Sequence, residues 1–183
     1  MMVTIRRKLL QPITFQEFEA ALEKLKPIYQ AYAVLIYYTG IRVTEALRLA
    51  KEDYRFDALN MYVDVGIRLK TRRKRPDGTI FLGKRTKPLP LSLEQPHLNI
   101  LITRVKHTRT GQKIFKFNRA TAWRQINKAG LGYNHHARLT AITSFLKMGR
   151  SIADIQNWFG ISVQTINSYI GQVDLEEMGR MKR

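Results

Sequence analysis

One segment dictates most of what this chain can fold into. Residues 27–40 read PIYQAYAVLIYYTG. Pro27 suits a first helical position, where its missing N–H would have had no partner anyway. The run that follows is apolar nearly all round, so its helix has no face to offer water and must be central to the core. From Ile28 to Tyr38 it covers 11 residues, too short for a bilayer, which needs about 20. Gly40 stops it, because glycine takes the left-handed C-cap conformation without penalty.

The remaining segments supply the coat for that helix. Ahead of it, Thr14 and Glu17 make a capping box, with Ile13 and Phe18 at the positions of a hydrophobic staple. Phe18, Ala21, Leu22 and Leu25 form the buried stripe of this first helix. Behind Gly40, Arg42 stands where one helix stops and a short one, Val43 to about Ala50, begins. From Met61 to Leu69 the period changes to two: Met61, Val63, Val65, Ile67 and Leu69 alternate with polar or small residues, the signature of a half-buried strand. Pro76-Asp77-Gly78 is a turn, and TIFL, with PLPL as its extension, returns as a hairpin or three-stranded sheet. The basic run Arg72 to Arg75 fits a hairpin tip touching phosphates, a localisation patch or a solvated turn. Ser92 to Gln95 is a second capping box, opening a helix that buries Leu98, Leu101, Ile102 and Val105. Asn118 caps another helix, through Trp123 and Ile126 to Ala129-Gly130. Residues 151–170 scan as a helix-turn-helix, with Ile152, Ile155, Trp158 and Phe159 packing one helix, Gly160 the turn, and Val163, Ile166 and Ile170 the other. The fold class is α+β, mainly α-helical with a small antiparallel β-sheet inserted between helices.

Composition narrows the partner. The 183 residues suit one domain, and 44% apolar with 10% aromatic content argues against disorder. Lys and Arg number 32 against 14 Asp and Glu, a formal charge of +18, which favours a polyanion, nucleic acid first. The basic residues are dispersed and no long amphipathic basic helix occurs, so an anionic membrane is the weaker fit. Cysteine is absent, which excludes disulfides, thiolate metal sites and cysteine nucleophiles. No apolar signal region precedes residue 12. A soluble, cytoplasmic, DNA-associated protein is expected, with no membrane partner.

The stretch HHARLTAITSFLKMGRSIADIQNWFGISVQTINSY, 135–169, carries the candidate chemistry. His135 and Arg138 are three apart and share a helix face. An arginine can fork onto two phosphate oxygens, and a tyrosine oxygen, here that of Tyr169, is a potential nucleophile. Each also has a plain reading: a solvated helix face for the HxxR pair, and an ordinary helix residue for Tyr169. Scattered acids give no two-metal constellation.

With these parts in order, the chain resembles the catalytic domain of tyrosine recombinases, the phage-integrase family, over roughly residues 12–172. YYTGIRVTEALRL is similar to the family's first arginine box, with Arg42 and Glu45 in its key places. HHAR resembles the second box, H-x-x-R; Thr140 and Gly149 fall where the family has Thr and Gly, and Tyr169 stands at the nucleophile's place. The resemblance implies residues 1–12 as a basic lead-in, 13–172 as the catalytic domain and 173–183 as a short tail. It implies a site-specific recombinase or integrase, of a mobile element or virus, that needs no cofactor or metal and acts on double-stranded DNA. A monomer in solution and a homo-tetramer on DNA are expected, without the N-terminal DNA-clamping domain that family members usually carry.

The implied mechanism is transesterification: Tyr169 attacks a phosphodiester, giving a 3′-phosphotyrosyl link and a free 5′-hydroxyl. Arg42 and Arg138 bind the phosphate oxygens, Lys70 protonates the departing 5′-oxygen, and His135, favoured over His136 by register, assists proton movement. Lys84, in GKRTKPLPL, is the alternative lysine. Glu45 orients the arginines, or is an ordinary helix-face glutamate. Three departures stand out: Ile161 occupies the place where the family commonly has His or Trp, the interval to Tyr169 is one residue short, and the hairpin is longer than in many members, which leaves Lys70 and Lys84 as alternatives. A type IB topoisomerase, or a non-catalytic helix-turn-helix DNA-binding protein, is the competing reading.

Overall fold

A computed structural model describes residues 11–66, 84–91, 95–132 and 134–170, without the side chains of Lys84, Asn134 and His135. Helix α1 (Phe15–Glu23) opens on the expected capping box, Thr14 Oγ1 accepting from Glu17 N while Glu17 Oε2 accepts from Thr14 N. Helix α2 (Pro27–Thr39) starts on its proline and ends at Gly40, with φ of 58°. Ala31 through Ile36 are buried without a break, on every side of α2. Its neighbours are α3 (Val43–Ala46), α4 (Leu98–Lys106), α5 (Arg119–Ala129) and α6 (Asn134–Lys147).

The sheet has three antiparallel strands in the order β1 (Tyr54–Phe56), β2 (Asn60–Gly66) and β3 (Lys84–Pro90). β2 buries Met61, Val63 and Val65 as the alternation demands. Opposite these three stand Leu89, Lys87 and Arg85 of β3. The third strand is β1, which sequence periodicity did not reveal: three residues are too few to display a period. Ile67, Leu69, Lys70 and the turn 72–78 lie outside the described residues, as does the TIFL segment.

Two boundaries and one packing face differ from the sequence expectation. The helix after Arg42 stops at Ala46 and gives way to a turn and a 3-10 segment, Lys51–Asp53. Ser92 lies outside the described residues, and α4 begins instead after His97, whose φ is 67°. Ile152 and Val163, assigned to helix-turn-helix packing, are exposed. At the C-terminal end α7 (Ile152–Phe159), a turn at Gly160 and helix α8 (163–170) follow α6. Ile155, Phe159 and Ile166 close on Ala141 and Ile142 of α6 as a separate small core. Among the described residues, no helix is long and apolar enough to cross a membrane.

Candidate active site

Arg42 owes its position to the end of α2. The left-handed Gly40 turns the chain, Ile41 is buried, and Arg42 becomes the N-cap of α3. Glu45, in the first turn of that helix, accepts from Arg42 N at 2.8 Å through Oε2 and from Arg42 Nη1 at 3.1 Å through Oε1. The arginine side chain remains 47% exposed while Glu45 is 11% exposed. A mostly buried carboxylate therefore steers a guanidinium that still reaches solvent.

Arg138 comes from α6 and is only 3% exposed. Its Nη1 donates to Gly40 O at 2.7 Å and its Nη2 to Phe159 O at 2.6 Å, joining the end of α2 to the end of α7. Burial, and then the Arg42 charge, pull its guanidinium down to about 10. Tyr169, half-buried on α8, lies near enough to act on that charge balance. Phe159 stacks its ring 5.4 Å from the Arg138 carbon Cζ.

Two more cations enter from β3, and sequence reasoning missed both. Lys87 is 1% exposed; its Nζ donates to Trp158 O at 2.5 Å and lies 4.5 Å from the Trp158 ring centroid. Burial holds its ammonium well below the usual lysine range, helped by Arg85 and Arg138. Arg85 donates from Nη2 to Glu45 Oε1 at 2.9 Å, and burial lowers its guanidinium too. The signal was the period of two in KRTKPLP: if Leu89 points inward, Lys87 and Arg85 point the same way.

Together Arg42, Arg138 and Lys87 meet three successive carbonyls. Lys87 takes Trp158 O, Arg138 takes Phe159 O, and Arg42 Nη2 reaches Gly160 O at 3.4 Å. These are carbonyls that α7 leaves without intrahelical partners, at the negative end of its dipole. Trp158 Nε1 completes the join by donating to Thr39 O at 3.1 Å. Four basic side chains thus converge, and among the described residues the one carboxylate acting on them is Glu45. Such an excess of positive charge in a partly buried site favours an anion. Among the described residues, no three His, Cys, Asp or Glu side chains cluster to hold a metal ion.

The other sequence-predicted residues divide as follows. His135 lies on α6, one turn before Arg138, and its side chain is outside the described atoms. Its neighbour His136 donates through Nε2 to Gln11 O, away from the cation cluster. Thr140 is buried, accepting from Ile13 N and donating to His136 O, so it ties the N-terminal segment to α6. Gly149 ends α6 with φ of 68°. Lys84 pairs with Gly66 at the start of β3, and Lys70 lies outside the described residues.

This arrangement of helices around a small antiparallel sheet is the fold of the tyrosine recombinase catalytic domain. The XerA recombinase structure superposes over 100% of this chain and 67% of its own, at 21% identity and a TM-score of 0.63. XerH recombinase bound to its difH substrate, in a pre-cleavage complex, matches 92% of this chain at 19% identity and 0.61. The Tn1549 transposon integrase in complex with circular intermediate DNA matches 90% at 17% identity and 0.56, over 62% of that chain. The present chain spans 51% of the XerH chain. No family model and no curated protein matches the sequence.

Proposed function

We propose that this chain is the catalytic domain of a site-specific DNA recombinase that cuts and rejoins strands through a phosphotyrosyl intermediate. The observation that carries the reading is the convergence of Arg42 and Arg138, from opposite ends of the sequence, beside the Tyr169 helix on a recombinase fold. Two of the structures it superposes on, the XerH recombinase and the Tn1549 integrase, contain DNA, and the +18 charge suits the same partner.

In the reaction, the Tyr169 oxygen attacks phosphorus, one P–O bond forms, and the bond to the 5′-oxygen breaks. The phenolic proton leaves by way of His135, and Lys70, or Lys84, protonates the departing 5′-oxygen. The product retains the phosphodiester's bond energy, so another strand's 5′-hydroxyl can reverse the step. Phosphate oxygens would take over the donors that Arg42 and Arg138 now give to Gly160 O and Phe159 O. Such preorganised donors each contribute roughly 10²–10³-fold by stabilising charge that develops on the equatorial oxygens. Lys87, buried against Trp158, positions α7 rather than reaching solvent.

The test is covalent trapping on duplexes that carry a nick near each candidate cleavage position, denatured in SDS without added metal. A shifted protein–DNA adduct that disappears in Tyr169→Phe is expected. An adduct that persists in Tyr169→Phe would overturn the assignment. DNA binding with no adduct on any duplex would favour the non-catalytic use of α7 and α8 as a DNA-reading pair.

A further inference from the structure

We infer that Arg85 is a third arginine for the substrate phosphate, working as a partner of Arg42 across Glu45. The inference rests on the reading that Arg42 and Arg138 hold a phosphodiester. Its first support is shared surroundings. Arg42 and Arg85 both donate to the same oxygen, Glu45 Oε1, at 3.1 and 2.9 Å. Both also border Gly160: Arg42 bonds its carbonyl, and a β-carbon built on Gly160 would lie 1.7 Å from Arg85 Nη1. A side chain at position 160 would therefore evict Arg85. Gly160 is the residue that lets this guanidinium lie against the backbone beside Arg42.

The second support is an unused donor. Arg85 Nε is buried and has no hydrogen-bond partner among the described residues. A buried charged donor left unpaired is costly, and a guanidinium offers five N–H groups in a fixed fork. The bond to Glu45 uses only one edge of it. The third is charge. Among the described residues, Glu45 is the carboxylate that pairs with Arg42 and acts on Arg85, Lys87 and Arg138, so Arg85 is in excess of what the carboxylate needs if its sole task were to brace α3. The Arg85 side chain is 12% exposed, so it is not sealed from solvent.

Two measurements test the assignment. The first uses the wild-type chain: the arginine Nε–Hε resonances are followed by nitrogen-15 NMR while sodium sulfate replaces chloride at constant ionic strength. Arg85→Lys identifies the Arg85 signal. The expected result is a saturable shift of that signal, with sulfate affinity about tenfold weaker in Arg85→Gln, as loss of one charge-assisted bond predicts. An Arg85 signal that stays put while the Arg42 signal moves would overturn the inference, as would unchanged sulfate affinity in a folded Arg85→Gln. The second is adduct formation on the nicked duplexes, where Arg85→Gln should bind DNA within about threefold of wild type but form adduct on the order of 10² slower. If no adduct forms yet sulfate shifts Arg85, the recombinase reading fails and the anion site stands. If wild type forms a Tyr169 adduct and Arg85→Gln forms it as fast, the inference fails and the recombinase reading stands.

Discussion

Lys87 shows how far one residue can depart from what its type suggests. Lysine is seldom buried without a carboxylate, yet this one sits at 1% exposure with a carbonyl and two aromatic rings for company. Its lowered pKa has a definite consequence for stability. Between the folded-state value and the unfolded value of 10.5, the unfolded chain binds more protons than the folded one. Stability therefore rises with pH through that window, and is lost as pH falls through the folded value. The slope can reach about 1.4 kcal/mol per pH unit. Burial raises the pKa of Tyr32, Tyr38 and Tyr54, and those groups oppose the trend only near pH 10 and above. Urea unfolding at pH 7.0 and 9.5 should thus show wild type gaining stability with a steeper pH dependence than Lys87→Met. Equal dependence in the two proteins would mean that Lys87 keeps an ordinary pKa. The resemblance to the recombinase family placed Arg42, Glu45 and Arg138 in one neighbourhood, because short motifs carry it. Sequence reasoning missed Lys87 and Arg85 because the relevant signal was strand register: knowing that Val63 and Val65 face them requires the pairing of β2 with β3.

At the scale of elements, the join between α2 and the C-terminal helices is constrained from several sides, by Arg138 on Gly40 O and Phe159 O and by Trp158 on Thr39 O. Gly40 has a left-handed φ, and a β-carbon there would come within 2.5 Å of Phe159 Cε1 and 2.8 Å of Ala141 Cβ. The same residue presents its carbonyl to Arg138. Gly40→Ala combines left-handed strain of roughly 1–2 kcal/mol with overpacking of about 1–3 kcal/mol. Gly149→Ala shares the strain but meets nothing within 4 Å. Chemical denaturation should therefore find Gly40→Ala destabilised by about 2–5 kcal/mol and Gly149→Ala by about 1–2 kcal/mol. Similar losses at both positions would show that backbone conformation alone requires Gly40. The left-handed stop at Gly40 was legible, since Thr39-Gly40 follows an apolar helix. That Phe159 would crowd it, 119 positions away in sequence, was not. Local signals likewise announced α1, α2, α5 and the Asn118 cap, whereas β1 and the true start of α4 depend on tertiary partners. A left-handed His97 is held by its contacts, Nε2 lying 3.0 Å from Glu19 Oε1, and nothing in its own sequence neighbourhood marks it as a helix start.

For the whole molecule, charge sets how DNA binding responds to salt. The excess of basic residues is spread over the chain, while the four basic side chains of the site account for only a small part of it. Most of the attraction to a duplex should then be sequence-independent, through phosphate contacts that release counterions. Each contact contributes roughly −0.9 to the slope of log affinity against log salt. If four or five phosphates are engaged at once, affinity for a duplex of arbitrary sequence falls by about 10²–10³ between 50 and 200 mM salt. Fluorescence anisotropy on a labelled duplex measures this directly. Arg42 alone should remove about one contact and lower the slope by about 0.9 in Arg42→Ala. Arg138→Ala should alter the slope less at equilibrium, because its donors are held by Gly40 O and Phe159 O until phosphate displaces them. A larger slope change in Arg138→Ala than in Arg42→Ala would mean that the α7 carbonyls yield to DNA at the first encounter. The order of the two slopes therefore reports whether the cation cluster opens before or after the duplex is bound.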